Sequence, residues 1–457
     1  MNIYIQIEWT KRELDSNLLL GVLAAEKGAD VFLLDYDSFE FLLKKNLIKP
    51  GILHSKSLVH DEKKQRWLEN LKKSGFFITT IDEENGLVHN KNRLISFVKT
   101  RFTKEALQLV DAVFCWGNYD YEMLKENFKD YSKKFVLSGA PRVDLWKKKF
   151  DSYWNSSSKK IDKKYVVIAS NFAVINSNIA LWKIYYKLEK AGYFERNNDL
   201  KREFIEITAQ SLKLFYKFVD AVNFLTQSCK DINFVVRPHP QESMDVWKYL
   251  LIKRDNLVID NKEIISGVLK NSSALIHNGC TTAYEAALND IPIISYHPLN
   301  EEVLHGKPAN DLGMNVNNLD DLKKRVQDIC SNNINKEDYC KKEIAKNKLN
   351  FNEDKISSNT IVDIWFSFLK DYKKKNNWNL IFLRLFIFQS VKRFIFNVLT
   401  IGKDKKKILG EEKFENKKKV YYQKKINKLK EILNITSDIH VNKSVNNTIL
   451  IKKNDKS

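Results

Sequence analysis

Through the first 350 or so residues of this chain, short apolar runs rich in β-branched residues alternate with longer stretches whose apolar positions recur at helical spacing. That alternation predicts parallel sheets with helices on both faces. In the first part the strand candidates are Ile3–Ile7, Val31–Leu34, Phe76–Thr80, Ala112–Cys115 and Phe135–Leu137. Between the first two, Asp15 is placed to cap a helix in which Leu18, Leu19, Val22, Leu23 and Ala25 share a face, with Gly28 just past its end. The polar stretch Lys147 to Lys164, containing Asn155-Ser156-Ser157-Ser158, reads as a linker. A second alternating region follows, with strand candidates Tyr165–Ala169, Phe234–Val236, Leu257–Ile259, Ala274–Ile276 and Ile291–Ser295 and helical patterns over Ile205–Leu225 and Thr281–Leu288. The expected architecture is α/β: two Rossmann-like domains facing across a cleft, residues 1–146 and 165–350, joined by the linker 147–164. A closing helix (Ile356 to Leu369, within 351–375) and a helical basic tail, 376–457, come after. Ligands of open α/β sheets bind outside the carboxyl ends of the strands. Candidate chemistry is therefore sought there.

At 457 residues and 43% hydrophobic, the chain has material for two cores. Cys115, Cys229, Cys280, Cys330 and Cys340 form no C-x-x-C pair and read as reduced thiols. Met1 leads at once into a strand candidate, without a basic start and apolar stretch, so a cytoplasmic address is expected. The net charge of +20 suits nucleic acid, an anionic membrane or an acidic substrate. Between Asp371 and Lys430, however, there are 18 Lys and Arg against 5 Asp and Glu. The excess belongs to the tail, and no RNP-like or helix-turn-helix pattern supports a nucleic-acid partner. Trp378 to Ile401 is rich in Phe, Leu, Ile and Val, but Arg384, Lys392 and Arg393 make a span costly. On a helical wheel Asn379, Gln389, Ser390, Arg393, Asn397 and Thr400 gather on one face. An in-plane helix on the anionic inner leaflet, followed by a polybasic segment, is expected. A buried helix pair with a disordered basic tail is the competing reading.

The sharpest motif is Arg237-Pro238-His239-Pro240, directly after a strand candidate. The two prolines stiffen the turn, the imidazole can donate to a phosphate oxygen, and the guanidinium can grip phosphate in two places. A rigid turn whose His serves only its neighbours is equally compatible with these residues. The second motif, His277-Asn278-Gly279-Cys280-Thr281-Thr282-Ala283-Tyr284-Glu285-Ala286, runs from a strand into a helix. Gly279 allows a close backbone approach, Thr281 and Thr282 with the first helical N–H groups suit an anion, and Glu285 suits ribose hydroxyls. The plain alternative is an N-cap with a dipole-favoured acid. In the first domain Asp82, Glu83 and Glu84 follow a strand; like charges crowded together raise a carboxyl pKa, as a base for an acceptor hydroxyl requires. Glu8, with Arg12 and Glu13, and Arg142, with Asp144, are candidates for the acceptor side or simple loop and hinge residues. Asn171 is a candidate for the nucleotide or an Asx-type cap. No Asp-x-Asp stands at a strand end, since Asp35-Tyr36-Asp37 starts a helix, so no essential metal is expected.

Arg237-Pro238-His239-Pro240 together with Gly279-Cys280-Thr281-Thr282 and Glu285-Ala286 resembles the donor half of GT-B glycosyltransferases, most closely the bacterial surface carbohydrate biosynthesis proteins. The resemblance extends to Asp82-Glu83-Glu84-Asn85-Gly86, Trp116-Gly117 and Ser138-Gly139-Ala140-Pro141-Arg142-Val143-Asp144, and covers residues 1–350 or so. It implies transfer of a sugar from a nucleotide-sugar donor to a saccharide or lipid-linked acceptor, with no cofactor beyond that co-substrate. Similarity to the enzymes that use CMP-activated acidic sugars, such as sialic acid or Kdo, implies that His239 holds the phosphate, Thr281 and Thr282 flank the nucleotide, and one of Asp82, Glu83 and Glu84 is the base. Asn85 separates those acids from Gly86, a departure from the short family pattern that leaves the choice among them open. A CDP-polyol phosphotransferase or a sugar-nucleotide epimerase of the same architecture is the first alternative. A non-catalytic nucleic-acid-binding protein is the second.

Overall fold

The computed structural model describes residues 1–58, 62–83, 101–154, 164–177, 179–190, 194, 198–260, 263–299, 308–370, 376–399, 413–445 and 447–454. The chain divides into two compact units. One is built from the N-terminal part up to Leu145 and from Leu349 onward, the other from Trp146–Lys348.

In the first unit, β1 (Asn2–Gln6), β2 (Asp30–Leu34), β3 (Ile52–Ser55), β4 (Phe77–Ile81), β5 (Ala112–Phe114) and β6 (Phe135–Val136) pair in parallel in the order β2-β1-β3-β4-β5-β6. Strand β3 is not legible in the sequence, because only two of its four residues are apolar. It lies inside the sheet, so His54 and Ser55 are buried with Ile52 and Leu53. His54 Nδ1 meets Thr79 Oγ1 at 3.0 Å, and burial pushes its pKa down to about 3. Helix α1 (Thr10–Glu26) begins five residues before the expected cap. Glu13 supplies its start, accepting from the N–H groups of Glu8 at 2.7 Å and Trp9 at 3.2 Å. Asp15 is an interior position of that helix and pairs with Lys425 at 2.6 Å, which corrects its reading as a cap.

The second unit carries β7 (Tyr165–Ala169), β8 (Asn233–Arg237), β9 (Leu257–Ile259), β10 (Ala274–His277), β11 (Ile293–Tyr296) and β12 (Met314–Val316). All pair in parallel, in the order β12-β11-β10-β7-β8-β9. Strand order reverses between β7 and β10, which makes their carboxyl ends the switch point where ligands bind such sheets. The long helix α2 (Asn198–Ser228) lays Leu214, Phe215, Phe218, Val222 and Leu225 into the core against Val166, Phe234 and Val236. Helix α3 (Thr282–Leu288) follows β10.

The chain then rejoins the first unit. Helix α4 (Ser357–Phe368) is started by a carboxylate far away in sequence: Asp144 accepts from Ser357 N–H at 2.9 Å and from Ser358 N–H and Oγ at 2.8 Å. Gly139 has φ +80°, and a Cβ there would collide with the Ser357 side chain, so both conformation and closeness favour glycine. Helices α5 (Trp378–Leu399) and α6 (Lys419–Ile432) and a hairpin of β13 (Ile439–Val445) and β14 (Thr448–Lys453) complete the unit. Strand β14 pairs antiparallel with β2 and makes an eight-stranded sheet, with Ile449, Leu450 and Ile451 fully buried.

The closing helix expected over Ile356 to Leu369 is present as α4, while the expected separate helical tail is corrected. Residues 357–454 belong in large part to the first unit, and the last of them are strands. Lys- and Asn-rich surroundings conceal the apolar run Thr448–Ile451, which reads as an ordinary covered strand once β2 is there to receive it. Helix α5 also differs from expectation. Its inner side carries Ile381 and Leu385, fully buried, and Trp378, whose Nε1 donates to Asp30 at 2.7 Å. Of the residues expected on its polar face, Asn379 and Ser390 are exposed, Asn379 accepts from Lys443 and Gln389 reaches Ser38, while Leu383 and Phe386 are exposed as well. The side chains of Arg393, Asn397 and Thr400 lie outside the described set. No described helix is long and apolar enough to cross a membrane.

Candidate functional site

At the carboxyl edge of the first unit's sheet, Glu8 lies two residues past β1, Lys56 follows β3 and Asp82-Glu83 follow β4. Glu8 forms ion pairs with Lys56 and Lys413. The two described acids after β4 differ sharply in environment. Asp82 is clamped by Arg101, whose Nη2 donates at 2.8 Å and whose Nε also binds it, and its backbone carbonyl accepts from Trp116 Nε1 at 3.0 Å. Glu83 is held through its own N–H to Lys56 O at 3.1 Å. Its side chain is buried, and Oε2 has no hydrogen-bond partner among the described residues. Burial and the neighbouring Glu13 and Asp82 push its pKa up to about 7, against the opposing pull of Arg12 and Arg142. Glu84 lies outside the described residues.

This grouping also places the other first-unit candidates. Arg12 donates to Glu13 at 2.8 Å and stands with Arg142 in the electrostatic surroundings of Glu83. A half-ionised, buried carboxyl flanked by two guanidinium groups can take a proton from a hydroxyl near neutral pH, and the cations favour the anionic form it starts from. Of the two acids beside Glu83, Asp82 is held by a bidentate ion pair and Glu13 by the start of α1.

In the second unit the motif residues lie at the ends of β7, β8 and β10. Arg237 does not face outward: its guanidinium donates to Asp260 O at 2.7 Å, Asp260 Oδ2 at 3.1 Å and Glu263 O. A partly buried cation at a strand end has found the acceptors of the adjacent loop, which gives it a structural task where a phosphate grip was expected. His239 is half-buried, and its Nδ1 accepts from Gln241 N–H at 3.3 Å, so the neutral ring carries its proton on Nε2. Asn171 is exposed just past the end of β7.

The turn is organised by Glu242, which the sequence does not single out. Its buried carboxylate accepts from Ser170 Oγ at 2.8 Å, Phe172 N–H at 2.8 Å, Trp247 Nε1 at 2.7 Å and His239 N–H at 3.1 Å. One carboxylate thus ties the segment after β7 to the His-Pro turn after β8. The readable signal is its spacing of three from His239, the separation of a turn closed on its own N–H.

After β10 the loop is equally prearranged. Gly279, at φ +63°, donates its N–H to Asn310 Oδ1 at 2.6 Å, and Cys280 N–H donates to His277 Nδ1 at 3.2 Å. His277 Nε2 meets Ser295 Oγ at 3.1 Å, and Ser295 in turn reaches Asn310 O at 3.1 Å. Asn278 Nδ2 bonds Tyr296 O at 2.9 Å and lies 3.2 Å from His297 Nδ1, while its Oδ1 has no partner among the described residues. The N–H groups of Gly279 and Cys280 therefore already have acceptors within the chain. Helix α3 spans only seven residues, so the anion-binding helix start expected from the sequence is reduced to Thr281, Thr282 and their hydroxyls, which are half-buried. Glu285 is buried one turn further along.

No family model matches the sequence, and no curated protein sequence does either. Solved structures do match in fold. An S. aureus MnaA–UDP co-structure is 14% identical, with 82% of this chain and 98% of that one covered and a TM-score of 0.53. The wall teichoic acid polymerase TagF, soaked with CDPG, is 12% identical, with coverage of 81% and 89% and a TM-score of 0.50. At such identities the likeness speaks for the fold: this chain is a GT-B-type α/β protein with two Rossmann-like units.

Proposed function

We propose that the protein is a nucleotide-sugar-dependent glycosyltransferase of bacterial surface polysaccharide synthesis, with Glu83 as the base that takes the proton of the acceptor hydroxyl. The observation that carries this reading is the Glu83 carboxyl itself, buried at a strand end with an oxygen that has no partner among the described residues and a pKa of about 7. In this reading the second unit binds the nucleotide at the switch point between β7 and β10. His239 Nε2 donates to a phosphate oxygen, the hydroxyls of Thr281 and Thr282 add donors, and Glu285 takes ribose hydroxyls. Arg237 sets the shape of the turn and Glu242 its position. As the nucleotide leaves, charge develops on its phosphate, and donors already fixed in place stabilise that charge without reorganising.

The residue pattern of the His-Pro turn and the Thr pair favours a CMP-linked acidic ulosonate as donor, with a saccharide or lipid-linked acceptor on the cytoplasmic side of the membrane. A thermal-shift series with CMP, CDP, UDP and GDP tests the donor base, since a ligand that binds only the folded chain raises its midpoint. A larger shift with CMP than with the other three is expected. Glu83→Gln should keep that shift and lose transfer. A Glu83→Gln protein that transfers sugar at the wild-type rate would remove the base from this mechanism. Formation of an epimerised nucleotide sugar without any acceptor would replace transfer by the epimerase alternative.

A further inference from the structure

Helix α5 has two apolar sides, and among the described residues only one is packed against the fold. On the inner side Phe382 meets Phe32 edge-on at 5.6 Å and Phe388 stacks on Phe41 at 4.2 Å. On the outer side Leu380, Leu383, Phe386, Ile387, Val391 and Phe394 are 40%, 57%, 62%, 46%, 49% and 70% exposed. Their spacing of three and four residues aligns them as one stripe, about 20 Å long at the rise of an α-helix. A continuous apolar stripe of that kind marks an interaction surface, whereas isolated exposed side chains do not.

Charge decides what covers it. Arg384 is exposed beside the stripe, Lys443 of β13 reaches exposed Asn379 next to Leu380, and Lys392 pairs with Asp37 at 2.6 Å. The sequence around the helix, Asp371 to Lys430, holds most of the chain's cationic excess. A second copy meeting this face about a two-fold axis would set like charges against like. An anionic headgroup layer meets the cations favourably and receives the apolar side chains below them. We propose that the outer stripe of α5 docks in the plane of an anionic lipid bilayer, with Arg384 and Lys443 at the headgroups. This inference is independent of the reaction assigned above.

The test is flotation of the full-length chain with equimolar phosphatidylglycerol and phosphatidylcholine vesicles, set beside vesicles of phosphatidylcholine alone. Strong recovery on the anionic vesicles, weak recovery on the neutral ones and loss at high salt are expected. The triple variant Leu383→Gln, Phe386→Gln and Phe394→Gln should lower recovery tenfold or more, on the order expected for three apolar side chains withdrawn from the membrane, with an unchanged melting midpoint because all three are exposed. Tyr249→Gln, at an 88% exposed site of the other unit, should leave recovery as it is. Undiminished flotation of the triple variant overturns the proposal. So does equal binding to neutral vesicles, and so does a wild-type dimer by light scattering that the triple variant dissolves while neither binds lipid.

Discussion

The carboxyl edges of the two sheets are built alike and finished differently. In the second unit several polar groups at that edge have answers within the chain: Glu242 gathers four donors at 3.1 Å or less, His277 is held at both nitrogens, and Gly279 is fixed by Asn310, while Asn278 Oδ1 has no partner among the described residues. In the first unit one carboxyl, Glu83, is buried beside Glu13 and Asp82, with an oxygen that has no hydrogen-bond partner among the described residues. The first arrangement suits a rigid receptor for a ligand whose shape does not change during reaction. The second is costly to fold and is kept where a group must change its protonation state. The proposed function gives binding to one edge and chemistry to the other, and each half of it can be broken separately.

The largest effect is expected at Glu83. Glu83→Gln should reduce turnover by about 10² to 10⁴, the range for loss of a general base, with nucleotide affinity unchanged in a binding titration. The same change should stabilise the fold. Glu83 has a folded pKa of about 7 against an ordinary 4.5, so its contribution is fully present below about pH 4.5 and is lost as the pH rises to about 7. The melting midpoint of the variant should therefore exceed that of wild type at pH 8, by several degrees, and match it at pH 4.5. A variant that is both inactive and less stable at pH 8 would make Glu83 an ordinary structural acid. By the same ionisation, kcat/KM of the wild type should climb through about pH 7, and that limb should vanish in the residual rate of Glu83→Gln.

Next in size is His239→Ala, expected to weaken nucleotide binding by about 10- to 100-fold through loss of one hydrogen bond to a charged group, while the pH limb set by Glu83 persists. Glu242→Gln should cost about 1 to 3 kcal/mol of stability, because donors that now meet a carboxylate would share one amide oxygen. Differential calorimetry reads that directly, and nucleotide affinity should fall with it, since the turn bearing His239 loosens. The smallest effect is expected at Asn171→Ala. Its side chain is exposed and should change nucleotide affinity by less than about threefold, as surface substitutions do.

How far the sequence reached follows the same divide. The strands of both units announce themselves where apolar runs are continuous, and the motif residues lie at the strand ends where alternating patterns put them. What stays hidden depends on distant partners. Asp82 and Glu83 are indistinguishable as neighbours in a string, and only Arg101 on one and burial beside Glu13 on the other tells them apart. Arg237 reads as an anion-binding residue because nothing local shows that Asp260 and Glu263 will claim it. Strand β3 looks like loop because a central strand can bury His54 and Ser55 as readily as isoleucine. The tail is the plainest case, since its charge was visible while its strand awaited an edge contributed by β2.

That last pairing has a consequence for the order of synthesis. Asn447 binds Asp35 across 412 residues of chain, and β14 closes against β2 beside it. During translation β2 leaves the ribosome with its edge bare, and it stays bare while Trp146–Lys348, the main part of the second unit, is made. That unit can fold as it emerges, whereas the first must wait for the hairpin. A premature stop upstream of the hairpin, or a bulky fusion that hinders it, would strike the beginning of the protein more than its middle. Nascent chains of the first unit are therefore the ones most in need of chaperone protection.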